Sequence, residues 1–227
     1  AIEEVAEIQF DKTLKDELDC SPAMHTEFRS VLGQLNWLQS RTQVQLCYKF
    51  SRCASQAAKP TIADVRALNK VVRMLRASPV TLNFWPLRGP LRIMGIPDAS
   101  YKNNEDKSSQ RAHTIFMVEP RKLSRDTTIS GTSSSAFADT RGSLVDYESH
   151  KITSTTMSTT VAELYSLMRC FGSCLFLKGL WADLTGEISE IHLRTDANNL
   201  VTTARTTHQA EQKETIHLIQ MLRKESN

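Results

Sequence analysis

The stretch at residues 92–100, RIMGIPDAS, is a short apolar run that reads as a β-strand and delivers one carboxylate, Asp98, just past Pro97. An acid handed to the end of a strand stands at the mouth of a sheet, where it becomes a ligand for a hard cation if other acids meet it there. Taken alone, an aspartate in that position is more often a turn former. The rest of the chain is therefore read for partners to Asp98.

A polar turn, YKNNEDKSSQ, follows the strand. His113–Val118 and Ser143–Tyr147 read as second and third strands, paired with one another. Between them, residues 119–142 are rich in charge, Ser, Thr and Gly, and read as a disordered or variable loop. A run of hydroxyls, Ser154–Thr160, then leads into a helix that starts near Thr159 or Thr160 and runs to about Leu184. Leu164, Leu167, Met168, Phe171, Leu175 and Leu180 fall on it at helical spacing, and Gly186 is its stop signal. Glu163 lies in its first turn. Ile188–Thr195 is a fourth strand and again ends on an acid, Asp196. Two helices, 198–206 and 211–225, complete the order β, β, β, α, β, α, α.

Acids gathered at one end of a sheet repel one another, and the arrangement costs stability unless cations sit between them. Two hard divalent ions held by Asp98, Glu163 and Asp196 suit that placement. Singly, each acid has a plainer account: Asp98 a turn, Glu163 a helix N-terminal acid favoured by the macrodipole, Asp196 an N-cap. The set, in this order of elements, is what singles them out.

Upstream, residues 1–22 form a sparse helix-like or extended arm with nothing catalytic in it. Ser21-Pro22 opens a helix near Met24. Apolar positions from Phe28 to Phe50 give two helices meeting near Arg41-Thr42, and Thr61 with Asp64 forms a capping-box pattern. That box opens a helix over Ile62–Ala77 with Val65, Leu68, Val72 and Leu75 on one face. Val80–Trp85 reads as a strand or extended connector, and the hinge-like Arg88-Gly89-Pro90 marks the domain boundary. From Arg66 to Arg92 the charges are Arg66, Lys70, Arg73, Arg76, Arg88 and Arg92, with no acid among them. They make either a face for phosphates or a solvated helix surface.

The net charge of +3 is too small to argue for nucleic acid by itself. Five cysteines without metal-finger spacing read as buried thiols in a reducing compartment. No apolar run approaches the roughly 20 residues of a bilayer span, and the acidic N-terminus carries no signal-peptide pattern. The expectation is a soluble, intracellular chain with no membrane partner. No Tyr-x-Asp-Asp segment is present, so a polymerase is not expected in it.

Residues 92–227 resemble the RNase H domain that ends the reverse transcriptase of copia-type (Pseudoviridae) retrotransposon polyproteins. The likeness is carried by MGIPDASY, KSSQRAHTIFMV, GSLVDYESHKITSTTMSTTVAELYSLM, LRTDANNLV and KETIHLIQMLRKE. The segment from His25 to Ser78 resembles the helical thumb or connection region that precedes that domain. The resemblance implies an α/β fold: an RNase H-like mixed sheet flanked by helices (91–227), preceded by a small helical domain (23–88) and an arm (1–22). It implies a ribonuclease H, a metal-dependent endonuclease that hydrolyses the RNA strand of RNA–DNA hybrids with two Mg2+ ions, Mn2+ being the alternative. Asp98, Glu163 and Asp196 match the family's first three metal-binding carboxylates, and His217 falls on the fourth, with Glu214 one turn earlier as its substitute. Ser158, Thr159 and Asn198 are the expected contacts to the hybrid, and Arg66, Lys70 and Arg73 to its phosphates. Expected partners are the hybrid and the polymerase portion of the same polyprotein, in a cytoplasmic particle or the nucleus. The chain departs from the family at Ala197, where an Asn is usual, and at Arg41-Thr42-Gln43-Val44, where Thr-Arg-Pro-Asp is usual. Two further readings are a catalytically degenerate hybrid-binding or connection module and a domesticated protein-interaction domain.

Overall fold

The computed structural model describes residues 2–104, 106–119 and 141–197. The chain is α/β, with N-terminal helices followed by a four-stranded mixed sheet packed on one long helix. The described residues divide into two compact units, with a break between Leu82 and Asn83 and with Glu148–His150 grouped with the first unit, and each unit has its own core.

The first unit holds α1 (Pro22–Arg41), a 3-10 turn (Val44–Leu46), α2 (Cys47–Ala54) and α3 (Ile62–Ala77). Helix α1 starts where the Ser21 hydroxyl accepts from the Met24 amide at 3.3 Å, with Pro22 in the first turn. It stops at Thr42, whose amide returns to the Leu38 carbonyl at 3.0 Å. Helix α3 opens on the expected capping box: the Thr61 amide donates to Asp64 Oδ2 at 2.8 Å and the Asp64 amide to Thr61 Oγ1 at 3.4 Å. Phe28, Leu35, Leu46, Val65, Leu68, Val72 and Leu75 are fully buried between the helices.

The arm forms no helix or strand, runs through several turns and belongs to this core. Val5 and Ile8 are buried in it. The Ile8 amide donates to Asn69 Oδ1, and Asn69 Nδ2 donates to the Ile8 carbonyl, both at 2.9 Å. Asn69 thus does for one arm residue what a neighbouring strand does, which is how a buried amide side chain on α3 is satisfied.

The stretch from Val80 to Trp85 is not a strand; it crosses the division and from Asn83 on belongs to the second unit. It leads into a connector already fastened to this unit: the Trp85 amide donates to Ser143 Oγ at 3.1 Å, the Arg88 amide to Glu119 Oε1 at 2.7 Å, and Leu87 packs on the core. These contacts are why the division falls a few residues before Arg88-Gly89-Pro90. Four strands follow, β1 (Arg92–Ser100), β2 (Gln110–Val118), β3 (Gly142–Lys151) and β4 (Glu190–Leu193), with α4 (Thr159–Thr185) between the last two. Their order in the sheet is β3-β2-β1-β4. Strand β1 runs antiparallel to β2, placing Asp98 opposite Ala112, and parallel to β4, placing Gly95 opposite Leu193.

Strand β4 is shorter than the Ile188–Thr195 expected from sequence, and Pro97 explains it. The Arg194 amide donates to the Gly95 carbonyl at 2.9 Å. The next rung of a parallel ladder would need an amide hydrogen on Pro97, which has none. Strand β1 therefore continues alone past Gly95 on that side, and chain is released there to carry Asp196.

Helix α4 begins where Ser158 Oγ accepts from the Val161 amide at 3.2 Å and ends at Gly186, in the left-handed conformation at φ 74°. By length and composition it passes for a bilayer span, which corrects the expectation that no run approaches that length. Its few charges, Glu163, Arg169, Lys178 and Asp183, are spread widely enough that a window of span length holds only two of them. One stripe of it, Glu163, Leu164, Leu167, Cys170 and Cys174, is buried, and Cys170 and Cys174 pack with Ile93, Ile115 and Met117. The five cysteines are free thiols. The expected helices 198–206 and 211–225 lie outside the described residues.

Candidate metal centre

Three elements converge on one point. Strand β1 brings Asp98, the first turn of α4 brings Glu163, and the segment just past β4 brings Asp196. Each offers a carboxylate oxygen, and the three oxygens all lie within 4.8 Å of one another. Asp98 and Asp196 are exposed, while Glu163 is 9% exposed. The Ala99 amide donates to the Glu163 carboxylate. The second oxygen, Oε2, is buried with no hydrogen-bond partner among the described residues.

Burial, and then the charges of Asp98 and Asp196, push the Glu163 carboxyl up to about 7, against the smaller opposing pull of the Ala99 amide. Near neutral pH this carboxyl therefore holds a proton for a good part of the time. A hard divalent cation meets each of these demands at once: it gives the orphaned oxygen a partner, offsets the repulsion of three acids and takes oxygen donors by preference. The donor set fits Mg2+ or Mn2+, while the fourth position expected of the set, His217, and its substitute Glu214 lie outside the described residues.

A hydroxyl-bearing loop precedes the helix that carries Glu163. The Ile152 amide donates to the Ser109 carbonyl at 2.8 Å, Ser109 Oγ and Thr156 Oγ1 are 2.6 Å apart, and the Tyr101 hydroxyl donates to the Met157 carbonyl at 3.0 Å. The loop is thereby pinned to the end of the β1–β2 pair. Of the expected hybrid contacts, the Ser158 hydroxyl accepts at the helix cap, Thr159 is exposed beside it, and Asn198 lies outside the described residues.

Arg66, Lys70 and Arg73 are in the first unit. The Arg66 guanidinium donates to Asp16 Oδ1 at 2.9 Å and to the carbonyls of Lys12 and Leu14 at 2.9 and 3.0 Å, and it lies over the Phe10 ring. Arg73 is ion-paired with Glu7, and Lys70 is exposed. Two of these three cations are thus occupied in holding the arm. Sequence reasoning also passed over the Ala99 amide, Tyr101 and Ser166. The one visible signal among them was Ser166, a hydroxyl in an otherwise apolar stripe one turn after Glu163.

No protein-family model matches the chain, and no curated protein matches it.

Proposed function

We propose that the second unit is a metal-dependent nuclease of RNase H-like fold that hydrolyses the RNA strand of an RNA–DNA hybrid. The observation that carries this reading is the convergence of Asp98, Glu163 and Asp196 on one point, with one Glu163 oxygen buried and without a hydrogen-bond partner among the described residues. The finer fold assignment is supported by the order in which the acids arise, from β1, from the start of the long helix and from the end of β4. That order is the one the sequence resemblance implies.

Asp98, Glu163 and Asp196 would hold divalent cations, which when bound would supply Lewis acidity and activate a water for attack on the phosphodiester. The protein's part is positional and electrostatic. Asp98 presents its carboxylate from a strand paired along its full length with β2, so its place is fixed by the sheet. Glu163, whose carboxyl burial holds above its ordinary value, would have to release its proton to serve as a ligand, so cation binding there would be coupled to proton release. Asp196, exposed on the segment that Pro97 frees from the ladder, closes the set from the third side. The hydroxyls of Ser154 to Thr160, on the loop tied to Ser109 and Tyr101 and leading into the helix that carries Glu163, would contact the 2′-hydroxyls and backbone of the RNA strand in this reading.

The deciding experiment is cleavage of an RNA–DNA hybrid in Mg2+ by the wild type and by Asp98→Asn. The wild type is expected to cut the RNA strand, and Asp98→Asn to lose at least two orders of magnitude in rate, in line with removing a charge-stabilising group. Cleavage that survives the substitution sinks the assignment.

A further inference from the structure

One turn after Glu163, Ser166 is buried at 1% exposure in the stripe of α4 that carries Glu163, Cys170 and Cys174. Its hydroxyl oxygen lies 2.7 Å from the Asp98 carbonyl and 2.7 Å from the Ala112 carbonyl. Those two residues face each other across the β1–β2 pair. A serine hydroxyl has a single proton, so the two carbonyls share it, and α4 is tied through one atom to both strands at the rung that bears Asp98. Serine is a mediocre residue for a helix interior, because its hydroxyl competes with the backbone. Apart from Glu163, its neighbours in the stripe are apolar or sulfur-bearing, and what the hydroxyl reaches beyond its own helix is this rung.

Residues three apart on a helix share a face, so the hydroxyl bond fixes the turn of α4 that carries Glu163 against the strand that carries Asp98. Farther along, Cys170 and Cys174 sit directly over Gly95, where a Cβ would lie 2.6 and 2.9 Å from their sulfurs. The Gly95 contact sets how closely α4 approaches β1, and the Ser166 bond sets where along β1 the Glu163 turn comes to rest.

We propose that Ser166 is a positioning residue of the metal centre: by bonding the Asp98 and Ala112 carbonyls it sets the separation of the Asp98 and Glu163 carboxylates. This rests on the reading of the three acids as a cation site and adds to it the residue that holds their geometry. Groups behind metal ligands typically alter affinity about 10- to 100-fold when removed, because ligand positions must hold to within roughly half an ångström.

The test is a calorimetric titration of the full chain with Mn2+. Wild type, Ser166→Ala, Ser166→Cys and a control, Met117→Ala, are compared, with thermal melts of each. Met117 is buried in the same sheet far from Asp98, so its truncation destabilises without touching the acids. Ser166→Ala is expected to weaken Mn2+ binding about tenfold or more, while Met117→Ala melts at least as early and binds within about twofold of wild type. Should Ser166→Ala not fold, Ser166→Cys decides, since it keeps the side-chain shape with a weak donor and is expected to weaken binding in the same direction. Affinity within about twofold of wild type in the folded Ser166 variant overturns the positioning role alone. A wild type that binds no Mn2+ overturns the cation site and the inference together, and one that binds Mn2+ but cuts no hybrid overturns the nuclease reading and leaves Ser166 in place.

Discussion

At the scale of single residues, Glu163 is the group whose chemistry the fold changes most. Its carboxyl stands at about 7 against an ordinary value of 4.5, because burial and two neighbouring acids disfavour its charge. The folded protein therefore holds this proton more tightly than the unfolded chain does. The stability this confers is fully present below about 4.5 and is lost as pH rises through about 7. Asp146 has the opposite sign: the His113 hydrogen bond holds its carboxyl below 3.8, so its contribution is present above that value and lost only in stronger acid. The two windows do not overlap. In the presence of a chelator, the wild type is expected to lose on the order of 1–2 kcal/mol more than Glu163→Gln between pH 5 and pH 8, a range that allows for the solvent reaching Asp98 and Asp196. Urea melts across that interval check it, and parallel pH dependences in the two proteins would remove Glu163 as the titrating group. All three acids were legible in the sequence because each stands at the end or start of a regular element. The partners of Arg66 and Arg73 were not, since Asp16 and Glu7 lie 50 and 66 positions away, and a run of basic residues shows charges without showing pairs.

At the scale of elements, the contact between β1 and α4 decides where the acids meet. Strand β1 was legible from its apolar run, and α4 from its helical spacing, its hydroxyl cap and Gly186. The extent of β2 and β4 was not. The first residues of β2, Gln110 to Ala112, are polar or small and look like turn, yet they pair opposite Ser100 to Asp98. Strand β4 ends early because of a proline on its neighbour, which no pattern within β4 reveals. Gly95 is the point where sequence says least and structure most. A methyl group there would lie 2.6 Å from Cys170 Sγ and 2.9 Å from both Cys174 Sγ and Leu193 Cδ2, closer than real contacts allow. Gly95→Ala is therefore expected to cost about 1–3 kcal/mol by overpacking. Removing the nearest sulfur opens the space, so Gly95→Ala with Cys170→Ala should cost less than the sum of the two single changes, by at least about 0.5 kcal/mol. Strictly additive losses in urea melts would show that α4 does not press on β1 at this glycine.

At the scale of the whole chain, the two units have separate cores, and the features that stabilise them are of different kinds. The first is closed by its own N-terminal arm, a role hidden in the sequence because Val5 and Ile8 look like scattered apolar residues among acids. What makes the arm part of the core is Asn69, 5% exposed, which takes both the amide and the carbonyl of Ile8. Replacing it by alanine leaves two buried backbone groups without partners, at about 1–3 kcal/mol. The second unit instead gathers three acids, Asp98, Glu163 and Asp196, at one point; a cation bound there, as proposed, would offset their repulsion and stabilise the unit by mass action. Hydrogen exchange separates the two effects residue by residue. Asn69→Ala is expected to strip protection from the Ile8 amide and shorten that of α3, while leaving β1 and α4 as in the wild type. Mn2+ at saturating concentration is expected to do the reverse, slowing exchange in β1 and in the first turns of α4 and leaving the Ile8 amide unchanged. Protection that rises in both units on adding Mn2+, or falls in both on losing Asn69, would mean that the cores unfold as one and that the acid cluster acts on the whole chain.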